Sequence, residues 1–157
     1  MRAHIYQAIA EALQSLQADG QPIIRHTDLF NEQILNIEDE QPFRTPAVLI
    51  EFADTYWLKQ LHGTRESTVT VRLHIVTDTR VGRWRDAVER LALADSINRC
   101  LHGLHTIVEN DGQNRPVSVV NDFTLTRSLT DHNFDELADD IEEYQCHVTD
   151  SSGHSRF

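Results

Sequence analysis

The sequence predicts an α+β domain of two layers: a mostly antiparallel sheet of four or five strands with two main helices packed on one face. Three observations lead there. From Ser67 to Thr77, the residues Val69, Val71, Leu73 and Ile75 alternate with Thr70, Arg72 and His74. That period of two gives a strand one apolar and one polar face. Two segments, Ala3 to Gln17 and Gly82 to Leu104, repeat apolar residues at spacings of three and four, as amphipathic helices do. Helices also do not alternate with every strand, which disfavours a parallel doubly wound sheet.

The first helix carries its apolar stripe on Ile5, Ile9, Ala12, Leu13 and Leu16, and Asp19-Gly20 is expected to stop it. Ile23-Ile24 is a weak edge-strand signal. Thr27-Asp28 reads as a helix N-cap, opening a helical turn or ordered loop that runs to Gln41. Gln41 to Pro46 is extended, because a residue before proline is pushed out of the helical region. Ala47 to Phe52 is a strand with apolar residues on both phases, so it is expected to be central and covered on both sides. Ala53 to Arg65 is an excursion that turns at Gly63.

The long helix from Gly82 places Trp84, Val88, Leu91, Ala94, Ile97, Leu101 and Leu104 on one stripe and exits through Gly103 and the polar turn before Pro116. Val117 to Arg127 is a strand with Val117, Val119, Phe123 and Leu125 facing inward. Ser128 to Asp140 is an acidic connection. Glu142 to Thr149 closes the sheet with Tyr144, Cys146 and Val148 inward. A single domain over 1–150 and a polar tail over 151–157 follow.

Composition narrows the function. A chain of 157 residues can bury a core without metals or disulfides. Its two cysteines, Cys100 and Cys146, are too few for a disulfide framework and read as buried free thiols, which suits a reducing cytoplasm. The N-terminal stretch is too polar for a secretory leader, and no run is long enough to span a membrane. A formal net charge of −11 opposes duplex binding, which depends on neutralising phosphates with Lys and Arg, so no sequence-specific nucleic-acid role is expected.

Candidate chemistry is thin. His102 and His105 stand three apart at the end of the long helix, but no HExxH or CxxC accompanies them, so they read as surface histidines. His74 and His147 lie on polar strand phases and are placed to approach each other across the sheet, solvated or hydrogen-bonded rather than ligating metal. The acidic run Asp135, Glu136, Asp139, Asp140, Glu142 and Glu143 lacks the calcium-loop pattern and reads as a solvated loop. Asp131-His132 near Ser128 and Thr130 has no nucleophile elbow, and no glycine-rich phosphate loop occurs. No catalytic residue, cofactor or metal is assigned, and the chain reads as a non-enzyme.

What is left is surface. Glu51, Thr70, Arg72, His74, Thr124, Thr126, Gln145 and His147 are expected to line one polar sheet face. Tyr56 and Trp57, in the excursion, read either as a plug over the sheet or as partner anchors, since Tyr and Trp are enriched at interface centres. Tyr56, Trp57, Arg72 and His74 are therefore the candidate subunit or partner contacts.

The order of segments carries a resemblance: a YQAIAEALQSL helix, HTDLFNEQI, a proline-led PAVLIEF strand, Trp57, VTVRLHIVTDT, a long helix and two closing strands. In this the chain resembles small bacteriophage or prophage tail proteins of the tail-terminator and tail-completion type. The resemblance implies a structural subunit that forms a homo-oligomeric, commonly hexameric, ring. Such a ring caps the tail tube and meets the head connector, so the subunit is cytoplasmic during assembly and then part of the virion tail. An acidic lumen would let DNA pass without sticking. Two alternatives from other classes are a regulatory domain that binds a small ligand or a protein near Trp57, and a metal-dependent hydrolase built on the histidines and the acidic run.

Overall fold

A computed structural model describes residues 1–31, 43–59, 61–104, 106–131 and 136–151. The elements run α1 (Arg2–Gln14), β1 (Gln17–Ala18), β2 (Gln21–Pro22), β3 (His26–Leu29), β4 (Ala47–Phe52), β5 (Leu58–Lys59), β6 (Arg65–Asp78), α2 (Ala87–Leu101), β7 (Thr106–Asn110), β8 (Pro116–Asp131) and β9 (Leu137–Asp150). The main sheet has the order β3-β4-β6-β9-β8-β7, with β5 pairing the start of β6. All neighbours are antiparallel except β3, which runs parallel to β4, so the sheet is mixed. The α+β class stands; the sheet is larger than four or five strands.

Alternation does set the principal core. Val69, Val71, Leu73 and Ile75 of β6 point to the helix side with Val48 and Ile50 of β4 and Tyr144, Cys146 and Val148 of β9. Against them pack Ile5, Ile9 and Leu13 of α1 and Leu93, Ala94, Ile97 and Leu101 of α2. Fully burying each of these large side chains contributes about 1.5–3 kcal/mol.

The other face is not uniformly wet. Ala47, Leu49, Val76, Leu137 and Phe43 form a second buried cluster there, with Phe30 against it. This bears out the expectation that β4 is covered on both sides and corrects the picture of a sheet with one oily face. The polar face survives over the first half of β6, where Thr70, Gln145 and Thr124 lie in one row and Glu51, Arg72, Glu143 and Arg127 in the next on the same face.

Local chemistry explains the shifted boundaries. Asp19 and Gly20 both have positive φ, 54° and 76°, and form the two-residue turn between β1 and β2 rather than a helix cap. Positive φ at both central residues favours Asp-Gly in such hairpins. α1 therefore ends at Gln14, before the expected Gln17. Ile23 and Ile24 are not a strand. His26 to Leu29 is one, and not a helical turn, because it pairs with Ala47 to Ile50. The rest of the predicted turn, 32–41, lies outside the described residues.

α2 starts at Ala87, not Gly82, because the Asp86 side chain accepts a 2.9 Å hydrogen bond from the Val88 N–H and caps the helix. Gly82 to Arg85 form a separate 3-10 turn. Only the second half of α2 meets the sheet. Val88 and Leu91, read as core, are exposed.

β7 was not foreseen, and the polar turn after it closes the β7–β8 hairpin. Within β8 a bulge between Asn121 and Thr124, with Asp122 at φ 57°, shifts the phase. Ser118 and Val120 are buried before it and Phe123 after it, in place of the expected Val117, Val119 and Leu125. The expected acidic connection is replaced by strand as far as Asp131 and again from Leu137.

Candidate functional site

Four strands place one residue each in a row of alternating charge on the face opposite the helices. Glu51 of β4 is opposite Arg72 of β6, Arg72 opposite Glu143 of β9, and Glu143 opposite Arg127 of β8. The side chains follow the register. Arg72 Nε donates to Glu143 Oε2 at 2.8 Å, Arg72 Nη1 reaches Glu51 Oε1 at 3.4 Å, and Arg127 Nη2 donates to Glu143 Oε2 at 3.2 Å. The hydrogen bond from Arg72, with Arg127 beside it, holds Glu143 below the usual carboxylate range. The same bond raises Arg72 above its ordinary value.

One step along β6, His74 leaves the water. Its side chain is 7% exposed, with Nε2 2.7 Å from Glu51 Oε2 and Nδ1 3.0 Å from Asp139 Oδ2. Phe30 stacks on the ring at 4.1 Å between centroids and 8° between planes. Burial pushes the imidazole down, but the bonds and charges of Asp139 and Glu51 outweigh it, so His74 sits above its ordinary value. Protonated, the ring donates from both nitrogens. Burial raises Asp139, which His74 partly offsets and the charges of Asp131 and Asp140 reinforce. The second carboxylate oxygen of Asp139 is buried with no hydrogen-bond partner among the described residues.

Arg72 and His74 are thus brought together, but with fewer free groups than the sequence suggests. Tyr56 and Trp57 are elsewhere. Leu58, just after them, pairs with Glu66, six residues before Arg72 along β6 and so about 20 Å away. Tyr56 is 80% exposed, while Trp57 is half-buried against the principal core under the Arg65 guanidinium, 4.6 Å from its ring. The two readings divide: Trp57 is the plug and Tyr56 the open aromatic.

His147 does not approach His74. It pairs with Thr68, again about 20 Å along β6 from His74, and lies 3.8 Å from Glu66. His105, His132 and Asp135 lie outside the described residues.

The acidic run is not a solvated loop. Asp139, Asp140 and Glu142 are buried, because they belong to β9 in the middle of the sheet. Thr130 donates to Asp140 at 2.7 Å, and Ser128 donates to Glu142. Burial beside Asp140 and Asp95 raises Glu142. Ser128 and Thr130, noticed in the sequence beside Asp131-His132, are the hydroxyls that satisfy these carboxylates. Among the described residues no group of three His, Cys, Asp or Glu is placed to hold a metal. Cys146 is buried and its thiol is pushed up to about 11; Cys100 is only half-buried and donates to the Ala12 carbonyl at 2.9 Å.

A cleft of about 790 Å³ lies between α2 and β8, lined by Arg99 and His102 on one wall and Asp122, Phe123, Leu125 and Tyr144 on the other. It is not beside Trp57, where the ligand-binding alternative expects its pocket. Asp139, Glu143, Arg127 and Phe30 are the members of the polar cluster that sequence reasoning missed. Asp139 shares the phase of Glu143, and that was the signal to use.

Among the described residues no helix is long and apolar enough to cross a membrane. No protein-family model matches the chain, and no curated protein matches it.

Proposed function

We propose that this chain is a structural subunit of a phage or prophage tail, of the tail-terminator or tail-completion type, that acts by forming a homo-oligomeric ring. The observation that carries the reading is the row Glu51–Arg72–Glu143–Arg127 on the sheet face away from the helices. Its charges neutralise one another by geometry, leaving a polar surface suited to a lumen or a neighbouring subunit rather than a pocket floor. Exposed Tyr56 and Leu58, at the β5 end of the sheet, supply the aromatic and aliphatic anchors that a subunit contact needs. The order of segments points the same way. The tail tube and the head connector are the partners, and no reaction is assigned.

Electron microscopy of purified protein mixed with tail tubes tests this directly. Rings, or tubes capped at one end and no longer able to grow, are the expected result. Tubes that lengthen at the same rate with the protein present would reject the reading.

The cleft between α2 and β8 supports a second reading, a small-ligand or protein-binding regulatory domain. Its volume lies within the usual range for ligand sites, about 300–1,000 Å³. A thermal-shift screen in which Arg99→Ala abolishes a stabilisation seen with the unaltered chain would favour it.

A further inference from the structure

The cleft between α2 and β8 holds a cation and an anion that the chain does not pair. On the α2 wall, Arg99 donates from Nη2 to Ser96 Oγ at 3.2 Å, and no carboxylate among the described residues pairs with its guanidinium. On the β8 wall, the Asp122 carboxylate has no partner among the described residues. Only the Asp122 backbone carbonyl is used, accepting from the Thr124 hydroxyl. Both residues line one cavity, yet they form no salt bridge with each other.

The backbone sets this arrangement. Thr106, at the start of β7, pairs with Asn121, the furthest point that β7 reaches along β8. Just beyond it β8 bulges between Asn121 and Thr124, with Asp122 at φ 57°. A bulge re-aims the side chain of its extra residue, and aspartate is among the few residues that tolerate the left-handed region. Arg99 belongs to the last turn of α2, so the bulge and that turn wall the same cavity.

The rest of the lining is largely apolar. Phe123 and Tyr144 stack with centroids 4.8 Å apart and planes 13° apart. Leu125, opposite Tyr144 in register, is 41% exposed. The Tyr144 hydroxyl already donates to Asn98, so what it offers a ligand is its ring.

These three parts select a class of ligand. An anion meets Arg99 but stands against Asp122, and a cation does the reverse. A neutral apolar molecule strips water from both charges and returns no hydrogen bond. A zwitterion with an apolar body satisfies every part, with its carboxylate on Arg99, its ammonium on Asp122 and its side chain against Phe123 and Leu125. The geometry points to a zwitterionic amino acid or dipeptide with a large apolar side chain as the ligand of this cleft. The assignment rests on the ligand-binding reading of the cleft and not on the ring.

Isothermal titration calorimetry tests it with phenylalanine, leucyl-phenylalanine, N-acetylphenylalanine, which lacks the ammonium, and phenylalaninamide, which lacks the carboxylate. The better of the two zwitterions should bind at least about tenfold more tightly than either blocked compound, and which one it is fixes the length of the ligand. Arg99→Gln should weaken that zwitterion about tenfold and leave phenylalaninamide unchanged. Asp122→Asn, in which asparagine keeps the positive φ, should weaken it as much and leave N-acetylphenylalanine unchanged. Both positions are exposed, and circular dichroism confirms the fold of each variant. Blocked compounds that bind as tightly as the zwitterions would overturn the assignment while leaving the cleft a ligand site. Failure of both zwitterions to bind at millimolar concentration would also overturn it, and the ligand-binding reading itself falls only if the thermal-shift screen finds no stabilising compound.

Discussion

Replacing His74 by leucine removes the only cation that the described structure places against the buried Asp139 carboxylate. Asp139 is 2% exposed, its Oδ2 is 3.0 Å from His74 Nδ1, and its other oxygen already lacks a partner among the described residues. Breaking one side of a buried charged pair costs about 3–5 kcal/mol, because the remaining charge is left uncompensated in a poor solvent. For a domain of this length that is a fall in Tm of about 10 °C.

The pH dependence has a definite sign. His74 has a folded pKa raised above its ordinary value, so its stabilising contribution is complete below about 6.5 and is lost as pH rises through the raised value. Asp139, also raised, loses stability in the same direction but over a window that begins in the carboxylate range. Urea unfolding of the unaltered chain and of His74→Leu, from about pH 6 to about pH 9, should therefore show their difference shrinking as pH increases. A double variant, His74→Leu with Asp139→Leu, should recover much of the loss, since an apolar pair of similar size often matches a buried ionic one. A difference that is constant or grows with pH, or a double variant as unstable as the sum of the singles, would refute the reasoning.

Leu49→Ala should cost about 3 kcal/mol in chemical unfolding, as a core truncation does, because Leu49 is fully buried in the second cluster. A loss below about 1 kcal/mol would mean that this face is effectively solvent. Glu142 has a folded pKa raised by burial, so the neutral form is favoured and stability falls as pH climbs through the raised value. Glu142→Gln, which keeps the Ser128 contact without the charge, should be about 1 kcal/mol more stable than the unaltered chain at about pH 8 and equal to it in acid. A pH-independent gap in urea midpoints would contradict that. Asp86→Ala removes the α2 cap and should lower stability by about 1 kcal/mol, read by thermal unfolding.

Elements that bury a continuous stripe were legible in the sequence. The inward positions of β4, β6 and β9 follow directly from alternation, and the α2 residues Ala94, Ile97 and Leu101 from helical spacing. Val88 and Leu91 misled because periodicity reports which residues share a face, not how far a helix extends past the sheet beneath it. β3 was hidden because its strand character comes from parallel pairing with a partner some twenty residues away. The bulge at Asp122 inverted the phase of β8, and a positive φ at an aspartate leaves no hydrophobic signature. The polar site was half visible. Arg72 and His74 could be placed on one face, but burial of His74 depends on Phe30 and Asp139, and pairing across strands cannot be read from one strand alone.

β9 lies between β6 and β8, yet it is the last of the three to be made. On the ribosome, β6 therefore emerges with its 14 residues bare along one side, and β8 follows with 16. Neither can close on the other, because the strand that separates them has not been translated. Two long, unprotected edges are open to pairing with neighbouring nascent chains during that interval. Once β9 enters, it seals both at a stroke. Completion of the fold is thus tied to synthesis of Leu137 to Asp150, and a chain cut short before that point keeps both edges open.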